Sequence, residues 1–264
     1  MNIIVCLKQV PDTETHIKIS QEGKSIITDN IKWIMNPYDE YAVEEALRIK
    51  EKFGGEVTII SVGPNRVTES IRTALAMGAD KGILVDDPAI NGSDSLGIGR
   101  VLAAVIKGLS YDIILCGKQA VDGDQGLVGS ILAELLGIPQ VSVVTKLEIS
   151  EDGTMLKAQK EIEGGTLVIE SPLPALITAQ KGLNEPRYAS LPGIMKAKKK
   201  PLDVKTMTDL GLDTNQVGES EAKVKVIQIS PPEERKAGKI VEGETPQEKA
   251  SNLARLLHEE AKVF

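Results

Sequence analysis

Short apolar runs alternating with amphipathic helical segments restrict the first half of this 264-residue chain to one class of fold. The runs are almost continuous in Ile, Val and Leu, as expected for strands that are covered on both faces. Strand–helix alternation of this kind is typical of a parallel sheet with right-handed crossovers. We therefore predict an α/β fold with a doubly wound, mostly parallel sheet. The predicted strands cover residues 3–7, 57–62, 82–85, 113–116 and 141–145.

The helical segments between these runs have recognisable ends. Asn36 is suited to cap the first helix, Pro37 fits its first turn, and Gly54 can end it. A second helix is predicted over residues 67–77. A third is expected after Ser95, and a fourth after the segment 122–124, ending at Gly137.

The pattern changes after residue 150, where two turn signals bracket short extended runs. Asp152-Gly153 and Gly164-Gly165 predict an antiparallel excursion before residues 173–179 return as a strand. From residue 220 the chain becomes acidic, and a final helix is predicted from Pro246 onward. We predict an α/β domain over residues 1–220 and a C-terminal arm and helix over 221–264.

Composition excludes several classes of function. Lys and Arg total 31 against 38 for Asp and Glu, and a net charge of −7 disfavours general nucleic-acid binding. Aromatic residues are 3% of the chain, too few for a base-stacking platform. Cys6 and Cys116 lie within apolar runs, as expected for buried thiols in a reducing compartment. With no apolar segment of about 20 residues and no secretory pattern at the start, we expect a cytoplasmic protein without a metal site.

Residues 181–200 combine loop signals with apolar and cationic side chains. Asn184, Pro186, Pro192 and Gly193 disfavour a regular element, so nearby apolar side chains are hard to assign to a helix or strand face. Four lysines follow closely, at positions 196, 198, 199 and 200. An exposed leucine beside such a cluster would suit docking to an acidic partner. The alternative is a solvated loop whose Leu191 packs back into the core.

Three loops should meet at the carboxyl ends of the predicted strands, where open α/β sheets bind ligands. They cover residues 62–65, 117–119 and 121–130. The last is glycine-rich and leads into a helix, whose N-terminal N–H groups can bind a phosphate. Asp122 and Asp124 would repel phosphate, so we expect them to cap the helix or to face a ribose. The alternative is an ordinary strand–loop–helix corner without a ligand.

The chain lacks the glycine and lysine spacing of a dinucleotide fingerprint or a P-loop, and it lacks a nucleophile elbow. We therefore predict no catalytic residue. A nucleotide site without a catalytic group indicates a carrier or binding protein whose chemistry belongs to a cofactor.

Five stretches, read together, resemble the beta subunits of the electron transfer flavoprotein family over nearly the whole chain. The most specific reads L-N-E-P-R-Y-A-S-L-P-G-I-M-K-A-K-K-K. The five stretches cover residues 5–13, 36–50, 72–80, 117–124 and 183–200. The resemblance implies a Rossmann-like fold similar to the adenine nucleotide alpha-hydrolases.

This resemblance also implies partners and cofactors. Family members pair with an alpha subunit that holds most of an FAD, and the common form of the beta subunit binds AMP. The pair takes electrons from acyl-CoA dehydrogenase-type flavoenzymes, as in fatty acid β-oxidation, and passes them to a quinone-linked oxidoreductase.

By the same resemblance, particular positions acquire expected roles. Thr13 and Tyr38 are expected near FAD, and Glu161 is expected to help arrange the mobile flavin domain. The expected AMP-binding residues are Cys6, Asn36, Val62, Gly117, Asp122, Gly123, Asp124, Gly126, Leu127, Val128, Gly129 and Ser130. The other expected partner-docking residues are Asn184, Pro186, Tyr188, Leu191, Pro192, Ile194, Met195 and Lys196, with Leu191 as the anchor.

The nucleotide loop departs from the common AMP-binding pattern. Gly126, Leu127 and Val128 stand where that pattern has Asn, Gln and Thr, which leaves backbone N–H groups to bind phosphate. Gly123 and the Val128-Gly129 pair lean toward electron-bifurcating members, which hold a second FAD in place of AMP and oxidise NADH. The segment 36–50 leans back toward the AMP form, which we favour. A free-standing nucleotide-binding or nucleotide-hydrolysing protein of related fold is the third alternative.

Overall fold

Along residues 1–232 and 237–264, which the computed structural model describes, the chain forms eleven β-strands and six α-helices. The strands are β1 (Asn2–Cys6), β2 (Gln9–Pro11), β3 (Trp33–Met35), β4 (Glu56–Val62), β5 (Lys81–Val85), β6 (Ile113–Gly117), β7 (Gln140–Ile149), β8 (Met155–Ile162), β9 (Gly165–Pro172), β10 (Ala175–Ala179) and β11 (Leu202–Lys205). The helices are α1 (Pro37–Phe53), α2 (Thr68–Met77), α3 (Ser95–Lys107), α4 (Val128–Leu136), α5 (Leu191–Ala197) and α6 (Pro246–Glu259).

Nine of these strands form one sheet in the order β11-β5-β4-β1-β6-β10-β7-β8-β9. The pairs from β11 to β7 are parallel, whereas β8 and β9 continue the sheet as antiparallel strands at one edge. Strands β2 and β3 form a separate antiparallel ribbon. The predicted α/β fold with a mostly parallel sheet is therefore confirmed, including the antiparallel excursion after residue 150.

Helices cover both faces of the sheet, so alternate residues of β1 belong to different cores. Ile3 and Val5 pack in the core that contains the buried residues of α1 and α2. Ile4 and Cys6 pack in the other core, with buried residues of α3 and α4. Successive side chains of a strand point to opposite faces of the sheet. Odd-numbered residues of β1 therefore pack against one helical layer and even-numbered residues against the other.

The order of the strands reverses between β1 and β6. The chain passes from β1 to β4 and β5 on one side, and then returns to place β6 on the other side of β1. Loops that leave the carboxyl ends of two such strands diverge and leave a crevice between them. The central strands therefore position a ligand-sized opening where β1 and β6 end.

The sequence predicted the fourth helix correctly but missed a fifth. Helix α4 follows the segment 122–124, beginning at Val128, and has Gly137 as its C-cap residue. Residues 191–197, predicted to lack regular structure, form α5. Pro192 occupies the first turn of α5, where its missing N–H is no loss, and the Ser190 hydroxyl accepts from the Gly193 N–H.

Contacts along the described residues separate two compact units. One contains residues 1–18 and 26–227, and the other contains 19–25 and 228–264. Within the second unit, Thr245 caps α6 by accepting from the Glu248 N–H, and Lys239 pairs with Glu260. All residues of α6 are described, and none is buried. No described helix is both long and apolar enough to cross a membrane.

Candidate functional site

A cavity of about 320 Å³ opens at the carboxyl ends of β1 and β6, where the strand order reverses. Its walls come from the end of β1, the loop between β6 and α4, and the loop before α3. The predicted site residues that line it are Cys6, Asn36, Val62, Gly117, Asp122, Gly123, Asp124, Gly126, Leu127, Val128 and Gly129. Ser130 is half-buried in α4, outside this lining.

Asn36 fastens the loop after β6 to the start of α1. Its side-chain amide donates to the Gln119 carbonyl at 2.9 Å, and its side-chain oxygen accepts from the Val121 N–H at 3.1 Å. Asn36 is the N-cap residue of α1, as predicted, but its side chain makes no capping hydrogen bond, because both of its polar ends are bound to the loop. Asn36 is buried and lines the cavity, so its two hydrogen bonds fix the position of the loop that forms part of the cavity wall.

The two carboxylates of the loop do not cap α4. Asp122 accepts from the Lys8 ammonium at 2.7 Å, and Asp124 accepts from the Gln119 side-chain amide at 2.7 Å. The prediction that they cap α4 was therefore wrong, and the alternative that they face a ribose stays a prediction. The pairing with Lys8 offsets the charge of Asp122, which reduces the repulsion that an anion in the cavity would meet.

Helix α4 presents its first turn to the cavity. Its N-cap residue, Leu127, makes no side-chain cap hydrogen bond within the described part of the chain, and Val128 and Gly129 line the cavity. The first N–H groups of a helix have no partner inside the helix, and the helix dipole favours an anion there. A Cβ at Gly129 would lie 2.8 Å from the Thr178 methyl group, so glycine allows α4 to approach β10.

Asp39 joins the ends of the two central strands to α1. Its carboxylate accepts from the Lys8 N–H at 2.7 Å and from the Gly117 N–H at 2.9 Å. Burial raises the pKa of Asp39 to about 7, although these hydrogen bonds act in the opposite direction. Sequence reasoning gave Asp39 no part in the site, because its partners are distant in the chain.

Stability should depend on pH through Asp39. Its folded-state pKa lies above the ordinary value of 3.8, so its contribution is fully present below pH 3.8 and is lost as pH rises through about 7. We expect the free energy of unfolding of the wild type, minus that of Asp39→Asn, to fall across this window. The slope should not exceed about 1.4 kcal/mol per pH unit.

The free energy of urea unfolding, measured for both proteins from pH 4 to pH 8, tests this expectation. The variant retains one acceptor oxygen, so a constant offset of about 1 kcal/mol from the lost hydrogen bond should accompany the slope. A difference that stays flat over the whole range would contradict the assignment.

A second feature is the exposed surface around α5. Tyr188 is 98% exposed, Leu191 79% and Met195 73%, and Ile194 is also exposed. Lys196, Lys198 and Lys199 are exposed beside them. This surface, formed by residues 188–199, is called the α5 surface below.

Lys200 does not belong to the α5 surface. Its ammonium donates to the Leu75 and Ala79 carbonyls at 2.9 and 2.6 Å, at the carboxyl end of α2. In return, the Arg72 guanidinium of α2 donates to the Ala197 and Lys200 carbonyls, at the carboxyl end of α5. The two helices thus cap each other, and the interpretation of Lys200 as part of the cationic cluster was wrong.

The residues before α5 are anchored on α1. The Asn184 side-chain amide donates to the Tyr41 carbonyl at 3.0 Å and to the Glu45 carboxylate at 2.9 Å. The Arg187 guanidinium forms a two-point contact with the Glu44 carboxylate, at 2.8 and 2.9 Å. Asn184 and the half-buried Pro186 therefore lie on the inner side of the segment, which is anchored on α1, while Tyr188 is exposed to solvent.

Three predicted residues lie away from the cavity lining. Tyr38 is in the first turn of α1, with the Lys118 ammonium 4.8 Å from its ring centre. Thr13 is exposed after β2, and Glu161 is exposed near the end of β8. Residues of the lining that sequence reasoning missed include Lys8, and Ser93, Asp94 and Ser95 at the start of α3.

Comparisons with known proteins agree on one family. A family model described as "Electron transfer flavoprotein domain" matches residues 24–210. A protein named "Electron transfer flavoprotein subunit beta" from Bacillus subtilis (strain 168) is 47% identical over 265 residues, covering 100% of both chains. A protein of the same name from Thermoanaerobacterium thermosaccharolyticum is 43% identical, covering 98% of both chains. One from Homo sapiens is 42% identical, covering 92% of this chain and 93% of its own.

Proposed function

This chain belongs to the electron transfer flavoprotein family as a beta subunit, and on that premise we propose a division of tasks within it. The cavity between β1 and β6 binds AMP, and the surface near Tyr38 and Thr13 forms one side of an FAD site shared with the alpha subunit. The α5 surface docks acyl-CoA dehydrogenase-type flavoenzymes, as in fatty acid β-oxidation. Electrons then pass to a quinone-linked acceptor.

The observation that carries the AMP assignment is a nucleotide-sized cavity at the point where the strand order reverses. Its volume of about 320 Å³ lies at the lower end of the range for small-molecule sites. That volume suits a mononucleotide better than the much larger FAD. The first N–H groups of α4 would hold the phosphate, supported by the glycine-rich segment before it.

The residues around Tyr38 fit a flavin surface. An aromatic ring beside the Lys118 ammonium offers both stacking area and positive charge to a cofactor that becomes more negative on reduction. The bound FAD supplies the electron-transfer chemistry. The chain itself contributes binding and orientation: Asn36 and Asp39 hold the loops that surround the nucleotide, and the α5 surface positions the donor.

Nucleotide content tests the cofactor assignment. We expect the complex with the alpha subunit, purified and then denatured, to release one FAD and one AMP per pair of chains. Chromatography of the released nucleotides measures this directly. Two FAD without AMP would instead establish the second candidate, an electron-bifurcating subunit that oxidises NADH. Gly123 and the Val128-Gly129 pair favour that alternative.

Leu191→Ala tests the docking role. A buried anchor at the centre of an interface contributes about 1–2 kcal/mol or more, so the KM of an acyl-CoA dehydrogenase for this complex should rise about tenfold. The FAD content should not change, because Leu191 lies outside the cavity. Val204→Ala is the matched control, since Val204 is an exposed apolar residue of β11. Equal KM values for the two variants would refute docking through Leu191.

The C-terminal part has a proposed role as well. Residues 221–264 form an arm that contacts the alpha subunit, because none of the apolar side chains of α6 is buried within this chain. Leu253, Leu256 and Leu257 lie on one side of this helix. A cytoplasmic location is also proposed, because Cys6 and Cys116 are buried free thiols that suit a reducing compartment.

A further inference from the structure

Cys6 and Cys116 are neighbours on adjacent strands at the base of the cavity. Cys6 ends β1, and in the parallel pairing of β1 with β6 its partner in register is Cys116. Both side chains belong to the core between the sheet and helices α3 and α4. Adjacent strands lie about 4.8 Å apart. That spacing falls within the Cα separation of about 4.4–6.8 Å that a disulfide requires.

The two thiols are neighbours by strand register and are shielded by protein. The nearby Cys6 side chain raises the pKa of the Cys116 thiol well above its ordinary value, and burial acts in the same direction. The exposed fractions of Cys6 and Cys116 are only 7% and 6%. Both residues nevertheless line the cavity, so the cavity is the route by which a small reagent reaches them.

We propose that Cys6 and Cys116 form a dithiol modification site, which a small thiol oxidant closes to a disulfide when the cavity is empty and which a bound nucleotide protects. The protective part rests on the proposed nucleotide function, because AMP must occupy the space above the thiols. The site depends on two cysteines at paired positions, and these are the only cysteines in the chain.

An azodicarboxamide such as diamide supplies the oxidant. The sulfur of one thiol bonds to one nitrogen of the N=N group, and the proton goes to the other nitrogen. The second sulfur then attacks the first, forming the S–S bond and breaking the S–N bond, while its proton moves to the released nitrogen. Two thiols lose two electrons and two protons, and the diazene becomes a hydrazine.

The test uses the full chain in complex with the alpha subunit, with FAD retained and AMP either removed or added. After diamide treatment, remaining thiols are alkylated and the beta chain is weighed by mass spectrometry. The nucleotide-free complex should lose two hydrogens from the beta chain and resist alkylation at both cysteines. Because only the empty fraction reacts, AMP at thirty times its Kd should slow this change about thirtyfold.

Cys6→Ser and Cys116→Ala are the control variants, and neither should give the disulfide product. If either variant fails to fold, comparing the wild-type complex with and without AMP still tests whether the disulfide forms and whether AMP protects the thiols. Two thiols that stay alkylatable in the nucleotide-free complex would overturn the inference, as would bound AMP that leaves the rate unchanged. Failure of AMP to bind would refute the AMP assignment instead, and disulfide formation in the nucleotide-free complex would then decide whether the thiols form a pair.

Discussion

Gly117→Ala should lower the free energy of unfolding by more than about 2 kcal/mol, because overpacking at a site that cannot relax displaces backbone. A Cβ at this position would overlap the Asp39 carboxylate and lie 2.7 Å from the Tyr38 Cβ and 2.8 Å from the Tyr38 backbone carbon. The first turn of α1 would have to move. That movement would break the hydrogen bond between the Gly117 N–H and Asp39, which closes the cavity from below.

Loss of nucleotide should accompany this loss of stability. Gly165→Ala is the matched control, because Gly165 begins β9, outside the cavity lining, and an added Cβ there meets nothing within 4 Å. Urea unfolding and released-nucleotide analysis of both complexes should show a large change for Gly117→Ala and little for Gly165→Ala. Similar values for the two variants would show that the contact between α1 and β6 does not control the site.

Arg187→Met should destabilise the chain by about 2–3 kcal/mol, because it leaves a buried carboxylate without its partner. Glu44 is buried, and both oxygens of its carboxylate accept hydrogen bonds from the Arg187 guanidinium. The backbone N–H of Arg187 donates to the same carboxylate at 3.1 Å. Methionine keeps the length of the side chain and removes its charge. The expected cost is below that of a fully buried pair, since Arg187 is 35% exposed.

The effect of Arg187→Met should extend to docking. Without the ion pair, residues 184–190 should exchange their amide hydrogens faster, and the KM of the dehydrogenase should rise although the α5 surface keeps its side chains. Arg48→Met on the same helix is the control, since Arg48 lies 3.8 Å from Glu45 and is largely exposed. Glu45 is buried, but it also accepts from the Asn184 side-chain amide, so it keeps a partner without Arg48 and the expected cost is only about 1 kcal/mol. If both variants exchange alike, the ion pair does not order the segment.

The central strands, and the helical layers on both faces of their sheet, could be predicted from the sequence. Strands buried on both faces give continuous apolar runs. Helix α1 was also predictable, since Pro37 and Gly54 mark its ends locally. Helix α5 was not, because Pro192 and Gly193 are usually helix breakers. Gly193 instead allows close packing against the Ala76 carbonyl of α2, a contact that local sequence does not reveal.

The location of the cavity followed from a rule about strand ends, so most of its glycine-rich wall was predicted. Its charged partners were not. Asp122 bonds to Lys8, 114 positions earlier, and Asp39 bonds to Gly117, 78 positions later. These pairings depend on which strands become neighbours. A single sequence indicates which strands exist more clearly than it indicates their order.

The mutual capping of α2 and α5 has a consequence for the speed and strength of association. A peptide that is ordered only on binding loses conformational entropy at that moment, which weakens the complex. Here Arg72 and Lys200 hold α5 in place before any partner arrives. In the proposed docking complex, the free energy gained by contacts of Leu191 and Met195 would therefore not be reduced by folding of the helix. Differences in affinity among the proposed donor flavoenzymes should then arise mainly in their dissociation rates.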